Sequence, residues 1–405
     1  MAVLPFIHLF MKNNSYSLSY IRVLYAMWLV RTVLSYLLTY RKSLLIADQK
    51  EYIASITGLI LNVVSYLAII LLVTWEQNYL LALGIGTVTE VVLNIWISWY
   101  VEQKYPFLRQ RRKEKSTSSL TKRIVRDLKS LFISRISEKM LYCTDNLIIS
   151  GFIGVGTVGR YANYCMITQA ISNILTILAN TIQPTVGDYF TEKNRQRNYE
   201  ILRQLTFGFF CIASVVSVGL FSLITPFVRD IWLGPSYELD WGITVFCIVV
   251  LLVRIMGLPL SLVMGVTGLF EKEKNVGASS ALLNLIVSLA LVKPYGMAGV
   301  LLGTLLSYLL QILYRYIIYF RDFLEMPGEA LRYAQDIGEY LAVIAGEVLL
   351  MQKIVPLIYG AGGMLLFCVC FLLCIAIPLL LDLVIFGRGW RLQSIVTMVK
   401  GMRKA

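Results

Sequence analysis

The sequence predicts an all-α membrane protein with many transmembrane helices, on three observations. Hydrophobic residues make up 58% of the 405 residues, and the mean hydropathy is +0.70. Long apolar runs recur along the chain, and residues 53–75 and 364–386 form two runs of 23 residues each. Because a helix rises about 1.5 Å per residue, about 20 apolar residues cross the roughly 30 Å hydrocarbon layer. Between the runs, strongly basic loops alternate with loops that carry few charges.

The apolar runs predict about eleven transmembrane helices. Glycine and proline, for example Gly84, Gly86 and Pro294, are expected to kink or end several of them. The predicted spans are residues 20–40, 53–75, 79–101, 131–153, 161–187, 205–228, 241–264, 275–292, 297–318, 339–358 and 364–386.

The loop charges predict the orientation of these spans. Alternate loops and the tail carry 26 Lys and Arg residues, ten of them between Lys104 and Lys129, whereas the opposite loops carry four. Short basic loops stay in the cytoplasm. The C-terminus is therefore expected to be cytoplasmic, and an odd number of spans places the N-terminus outside. The net charge of +13 is interpreted as a topology signal, and no nucleic-acid partner is expected.

An internal repeat at an offset of 222 residues links two parts of the chain. Lys272 lies 222 residues after Lys50, and Asn284 lies 222 residues after Asn62, so the two Lys–Asn pairs have the same spacing. Repeats in membrane proteins usually mark two halves that move around a central site. The span at 131–153 should then have a counterpart before the first span. We therefore expect about ninety residues, or three helices, to be absent from the start of the chain.

Three stretches carry a resemblance to a known family: residues 40–53, 144–164 and 180–190. They resemble the bacterial lipid-linked oligosaccharide flippases that export O-antigen, exopolysaccharide and teichoic acid precursors. These proteins belong to the multidrug/oligosaccharidyl-lipid/polysaccharide superfamily. The resemblance implies a two-lobed, MATE-like bundle with six helices per lobe and two trailing helices.

The resemblance also implies a division of the chain. Residues 1–103 are expected to form a residual, incomplete N-lobe of three helices plus a helix stub. A basic cytoplasmic linker follows at 104–130, the C-lobe of six helices at 131–320, and the trailing helix pair with a cytoplasmic tail at 321–405. The implied activity is the flipping of undecaprenyl-pyrophosphate-linked oligosaccharide repeat units across the bacterial plasma membrane by alternating access. The glycan polymerase machinery is a further partner that the resemblance suggests.

Charged residues at membrane depth are candidates for the site, because an isolated charge there costs several kcal/mol. Arg31 and Arg254 lie near the middle of their spans, and Arg135 and Lys139 share one helix face. Guanidinium groups bind phosphate oxygens in two-point geometry, which suits the anionic head of a pyrophosphate-linked glycan. A salt bridge of Arg135 with Glu138 at the membrane surface is the open alternative. Candidate coupling sites or counter-charges are Glu90, Glu138 and Asp145.

Three other functions stay open beside the flippase. They are a truncated, inactive flippase fragment, an ion-coupled drug exporter of the same superfamily, and an integral-membrane glycan-modifying enzyme. The enzyme is disfavoured because His8 is the only histidine and neither an H-E-x-x-H motif nor a Walker A motif occurs. No catalytic residue, metal site or cofactor is predicted. The seven cysteines all lie in apolar spans and are not interpreted as disulfides.

Overall fold

The computed structural model describes residues 17–36, 39–48, 50–76, 79–106, 143–190, 194–269, 274–360 and 362–387. These residues are almost entirely helical, and eight of their helices are long and apolar enough to cross a membrane. The number is nine if a bent helix pair near the start counts as one span. The prediction of a multi-pass, all-α membrane protein is confirmed. The described part of the chain divides into two compact units, one up to residue 106 and one from residue 143.

The first unit contains four helices. They are α1 (Leu18–Tyr36), α2 (Thr39–Ala47), α3 (Glu51–Glu76) and α4 (Tyr79–Lys104). Helices α1 and α2 meet at an angle of 43°. A small core of Leu45, Ala54, Ile97 and Val101 holds α2, α3 and α4 together.

Polar contacts complete the packing of the first unit. The side-chain amide of Asn94 on α4 donates to the carbonyl of Ser35 at 3.2 Å, which satisfies an acceptor at the end of α1. Arg41 on α2 donates to Ser98 and forms an ion pair with Glu102 at 2.6 Å, so that α2 is fixed along α4. Helix α2 is therefore held by the apolar contacts of Leu45 and by the polar contacts of Arg41.

The second unit contains seven helices and a much larger core. Helix α5 is described over residues 143–152, and a turn at Gly154, where φ is 141°, leads into the next helix. The others are α6 (Val155–Tyr189), α7 (Arg195–Pro226), α8 (Trp241–Val266), α9 (Lys274–Ile318), α10 (Pro327–Tyr359) and α11 (Met364–Phe386). Short π-helical turns extend α7 and α9. Asn194 and Asp240 cap α7 and α8 by accepting from backbone N–H groups of the first turn.

Helix α9 is a helical hairpin and not one straight rod. Its 45 residues would extend about 68 Å as a single helix, far more than a bilayer core. Gly296 has non-helical torsions (φ 57°, ψ −134°) that L-residues with a Cβ rarely adopt. Contacts then connect the two arms in antiparallel order: Ser307 donates to the carbonyl of Ser280 at 2.9 Å. The two predicted spans at 275–292 and 297–318 are these arms.

The two arms of α9 touch backbone to backbone. A Cβ on Gly299 would lie 2.3 Å from the carbonyl oxygen of Leu291, and a Cβ on Gly303 would lie 2.4 Å from Oγ of Ser288. Glycines four residues apart allow such close approach of helices in membranes. The sequence Gly299–Gly303 therefore sets how tightly the hairpin closes.

The trailing helices α10 and α11 pack on α7. Arg203 on α7 makes a two-point ion pair with Asp336 on α10, at 2.6 and 2.9 Å. An aromatic cluster follows one or two turns along, where the rings of Phe210 and Tyr340 stack at 4.5 Å and Phe386 of α11 packs edge-on against both. Both helices thereby belong to the core of the second unit.

Candidate functional site

A buried cluster of oxygen atoms lies between α5 and the two arms of α9. Asp145 on α5 is 4% exposed, although it lies in a membrane-spanning bundle. Thr304 on the second arm donates its hydroxyl to Oδ2 of Asp145 at 2.7 Å. The side-chain amide of Asn284 on the first arm donates to the hydroxyl oxygen of Thr304 at 2.9 Å. Three side chains from three helical segments therefore form one connected network.

Two further oxygens border this network. Ser288 lies one helical turn after Asn284 and donates to the carbonyl of Val300 at 3.2 Å. Val300 lies one turn before Thr304 on the facing arm. The close approach of the arms at Gly299 and Gly303 brings Ser288 and the carbonyl of Asn284 against the second arm.

Some of the acceptors in the cluster have no hydrogen-bond donor. Oδ1 of Asp145 and Oδ1 of Asn284 are both buried without a partner. Buried polar groups of folded proteins are almost always satisfied, so these two acceptors, one of them on the carboxylate itself, are available to a cation or a proton. Carboxylate, amide, hydroxyl and carbonyl oxygens are the ligands of hard cations. With one carboxylate, the cluster matches a single positive charge.

The surroundings of Asp145 extend the site towards α6 and α8. Tyr161 and Cys165 of α6 interact with each other and lie near Asp145, as does Cys247 of α8. Arg254 on α8 lies close enough to Cys165 for an electrostatic interaction. Its guanidinium carbon is 5.5 Å from the ring centroid of Tyr308 on α9. Asp145 and Arg254 therefore both lie within electrostatic range of Cys165, in one region of the second unit.

In the first unit, Arg31 lies beside an acid. Nη2 of Arg31 on α1 is 3.6 Å from Oε1 of Glu90 on α4, and the two side chains are about one-third exposed. The guanidinium also lies over the ring of Trp28, 5.4 Å from its centroid. Gly86 allows this position, because a Cβ there would lie 3.0 Å from Nη1 of Arg31.

The structure therefore brings some of the predicted site residues together and separates others. Arg31 and Glu90 form one pair, whereas Asp145 and Arg254 belong to another region in the second unit. Arg135, Glu138 and Lys139 lie outside the described residues. Sequence reasoning used Asn284 only as a marker of the repeat and missed Thr304 and Ser288. The sequence offered one indication of Ser288 and Thr304, which is that both are polar residues within the predicted spans at 275–292 and 297–318.

Comparison with known proteins adds the family context. Residues 1–190 match the model of the polysaccharide biosynthesis protein family. The fold is similar to that of the lipid II flippase MurJ in an inward closed conformation, with a TM-score of 0.65 and 15% identity. The similarity covers 95% of this chain and 80% of that one. The family match and the similarity of fold both support the resemblance that the sequence predicts. No curated protein sequence matches the chain.

At 15% identity the likeness to MurJ establishes the fold of this chain and not its substrate. The match of residues 1–190 covers the described residues of the first unit and, in the second unit, the described part of α5 and all of α6. Asp145 lies within the matched residues, whereas Asn284 and Thr304 lie beyond them.

Proposed function

We propose that this protein flips polyprenyl-pyrophosphate-linked glycans across the bacterial plasma membrane, with its C-terminus in the cytoplasm. The observation that carries the proposal is a buried, incompletely satisfied carboxylate cluster inside a fold similar to that of a lipid II flippase. The family match at residues 1–190 supports a role in polysaccharide biosynthesis. Docking with glycan polymerase machinery is a further part of the proposal.

The proposed head-group contacts are the membrane-depth arginines. Arg31 and Arg254 remain the candidates for the pyrophosphate, because a guanidinium offers two parallel donors to phosphate oxygens. In the present structure Arg31 lies beside Glu90, and Arg254 lies over the ring of Tyr308. For Arg31, binding of the head group would replace the 3.6 Å contact with Glu90. Arg135 and Lys139 are additional candidates by sequence alone.

The proposed driving force is a monovalent cation or proton at Asp145. The orphaned oxygens of Asp145 and Asn284, together with Thr304, Ser288 and the carbonyl of Val300, provide the ligands. Binding there would draw α5 and both arms of α9 together, because the ligands come from all three segments. A bound cation that favours one arrangement of helices shifts the conformational equilibrium of the protein by its difference in affinity.

An apolar cavity of about 690 Å³ in the second unit suits the hydrocarbon tail. Its walls come from α8, α9 and α10 and include Leu306, Leu309, Leu313 and Leu341, whose side chains are exposed. A polyprenyl chain is the proposed occupant, since the lining has no charged side chain and the head group it would accompany needs the polar region elsewhere. Leu309→Trp should raise the substrate concentration for half-maximal flipping, whereas Leu289→Trp, exposed outside this lining, should not.

The decisive test reconstitutes the purified protein in liposomes with a fluorescent, short-glycan undecaprenyl pyrophosphate. A membrane-impermeant quencher reports which label is accessible. Vesicles with the protein should lose fluorescence beyond the outer-leaflet half, with a rate that depends on an imposed sodium or proton gradient. Asp145→Asn should lower the initial rate at least tenfold. Asp188→Asn, an exposed Asp on α6, is the matched control and should keep the normal rate.

Other results would select the alternatives. Quenching no faster than in empty liposomes, with well-folded protein, would contradict the proposal and favour an inactive fragment. Gradient-driven efflux of cationic drugs without glycan flipping would favour the exporter. A normal rate of flipping by the Asp145→Asn protein would support the flipping activity and contradict the proposed ion site at Asp145.

A further inference from the structure

A second group of acids lies buried where the trailing helices meet α7. Glu347 on α10 is 3% exposed, and Asp382 on α11 is 4% exposed. Ser214 on α7, which is completely buried, donates its hydroxyl to Oε2 of Glu347 at 2.6 Å. The carboxyl groups of Glu347 and Asp382 are close enough to interact with each other. This group shares no residue with the Asp145 cluster.

The acids have no compensating cation in the part of the chain that the structure describes. The groups that face them are Ser214 and Cys211 from α7, and each acid faces the other from α10 and α11. The nearest ion pair along α7 and α10, Arg203 with Asp336, is eleven residues away on both helices, or about 16 Å, and is already closed. Its positive charge is therefore compensated by its own partner.

Several carboxyl oxygens of the pair lack a hydrogen-bond partner. Oε1 of Glu347 and both oxygens of Asp382 are buried and unsatisfied. Two ionised carboxylates that face each other in a low-dielectric interior cannot both keep their charge, and one proton held between them removes the repulsion. A metal ion would need more ligands than this group offers, because Ser214 is its only neutral oxygen side chain.

We propose that Glu347 and Asp382, with Ser214, form a proton-binding site that joins the α10–α11 pair to α7. The proton comes from bulk water and converts one carboxylate into a carboxylic acid, whose O–H then donates to the other carboxylate. The aromatic cluster of Phe210, Tyr340 and Phe386 covers the end of the site that faces Arg203. With the proton bound, the three helices attract each other at this point; without it, two negative charges push α10 and α11 apart.

A proton-binding site of this kind makes the stability of the protein depend on pH in one direction. The folded protein holds the proton more strongly than the unfolded chain, where both acids are solvated. The stability of the protein therefore falls as the pH rises and the proton is lost. Replacing both acids by neutral amides removes this dependence.

Infrared spectroscopy of the protein in nanodiscs tests the proposal directly. The carbonyl stretch of a protonated carboxylic acid is resolved from that of a carboxylate. In the Asp145→Asn protein, which lacks the other buried acid cluster, such a band should persist at neutral pH and disappear on alkaline titration. The double variant Glu347→Gln with Asp382→Asn should lose the band. Glu339→Gln, an exposed Glu on the same helix, is the matched control and should keep it.

Thermal unfolding of the single variants provides a second test, which remains informative if the double variant misfolds. The unfolding midpoint of the starting protein should fall with rising pH, and the slope should be reduced in Glu347→Gln and in Asp382→Asn. Absence of a carboxylic acid band from the Asp145→Asn protein at neutral pH would overturn the proposal. So would a band that sodium ions abolish, because that result assigns a metal cation to the pair. These measurements need no glycan transport, so their failure is separate from a failure of the proposed flipping activity.

Discussion

Helix α3 of the first unit and helix α7 of the second are both apolar, yet the chain buries very different fractions of their residues. In its most apolar stretch, 11% of the residues of α3 are buried within the chain, against 56% for α7. The repeat predicts Asn62 of α3 and Asn284 of α9 to be equivalent, but Asn62 is exposed and Asn284 is completely buried. Equivalent positions in the predicted repeat therefore do not decide the role of a polar residue, because that role depends on the helices packed around it.

Close helix contacts differ in the same way between the units. In the second unit, Gly299 faces a backbone carbonyl, which cannot move without moving a helix. In the first unit, Gly86 faces the end of the Arg31 side chain, which has several rotatable bonds. The second unit is therefore expected to be far less tolerant of added volume.

The largest expected effect follows from Gly299→Ala. The new methyl group overlaps the carbonyl of Leu291, so the arms of α9 must separate, at a cost of about 1–3 kcal/mol. The midpoint of thermal unfolding in nanodiscs should fall accordingly. Gly208→Ala on α7 meets open space and serves as the control; it should be neutral or stabilising by about 0.5–1 kcal/mol. Equal effects of the two substitutions would show that the arms are not in contact.

The asparagine pair gives the next largest difference. Asn284→Ala removes the donor to Thr304 in a fully buried position and should destabilise by about 1–3 kcal/mol. Asn62→Ala changes an exposed side chain and should stay within about 0.5 kcal/mol of the starting protein. Thermal unfolding of both variants, measured side by side, checks the comparison. A larger loss from Asn62→Ala would reverse it.

Gly86→Ala should have a small effect on stability. The added carbon lies 3.0 Å from Nη1 of Arg31, and a rotation of that side chain relieves the contact, so a change below about 1 kcal/mol is expected. The movement should weaken the contact of Arg31 with Glu90. Glu90→Gln in the Gly86→Ala background should then cost less than Glu90→Gln alone, which a double-mutant cycle measures. A strictly additive result would show that the two contacts are independent.

The smallest effect concerns the junction of α2 and α3. Hydrogen bonds from Lys50 and Tyr105, both 2.5 Å from Oδ2 of Asp48, hold the pKa of this carboxyl below its usual value. A lowered pKa means that the contact stabilises at neutral pH and is lost as the pH falls through that lowered value. Asp48→Asn should therefore lower the unfolding midpoint slightly at neutral pH and not at all in acid. High salt should shrink the difference, because the groups are exposed.

The sequence allowed the helices to be predicted far better than their contacts. The predicted span at 364–386 coincides with α11, and the span at 53–75 falls within α3. Gly84 and Gly86 were expected to interrupt a helix, yet α4 continues through both, because helix-breaking by glycine is weak and packing overrides it. Hydropathy reports length and composition, which are local properties.

The candidate site was only partly accessible from the sequence. Asp145 stands out because a carboxylate at membrane depth is rare. Thr304 and Ser288 do not, since hydroxyl side chains are common in membrane helices and satisfy their own backbone. Asp382 is hidden in an apolar run of 23 residues, and its relation to Glu347 depends on the rotation of α11 about its axis. The expected absence of three preceding helices stays a prediction.

The hairpin form of α9 has a consequence for the order in which the protein is built. Asn284 and Thr304 are separated by 20 residues and meet as soon as both arms have been synthesised. Asp145 precedes Thr304 by 159 residues and, at about 5–20 residues per second, leaves the ribosome roughly 10–30 s earlier. During that interval its carboxyl lacks the hydroxyl that later binds it. We expect α5 to remain loosely inserted until the α9 hairpin arrives, so that completion of the oxygen cluster is a late step in biogenesis.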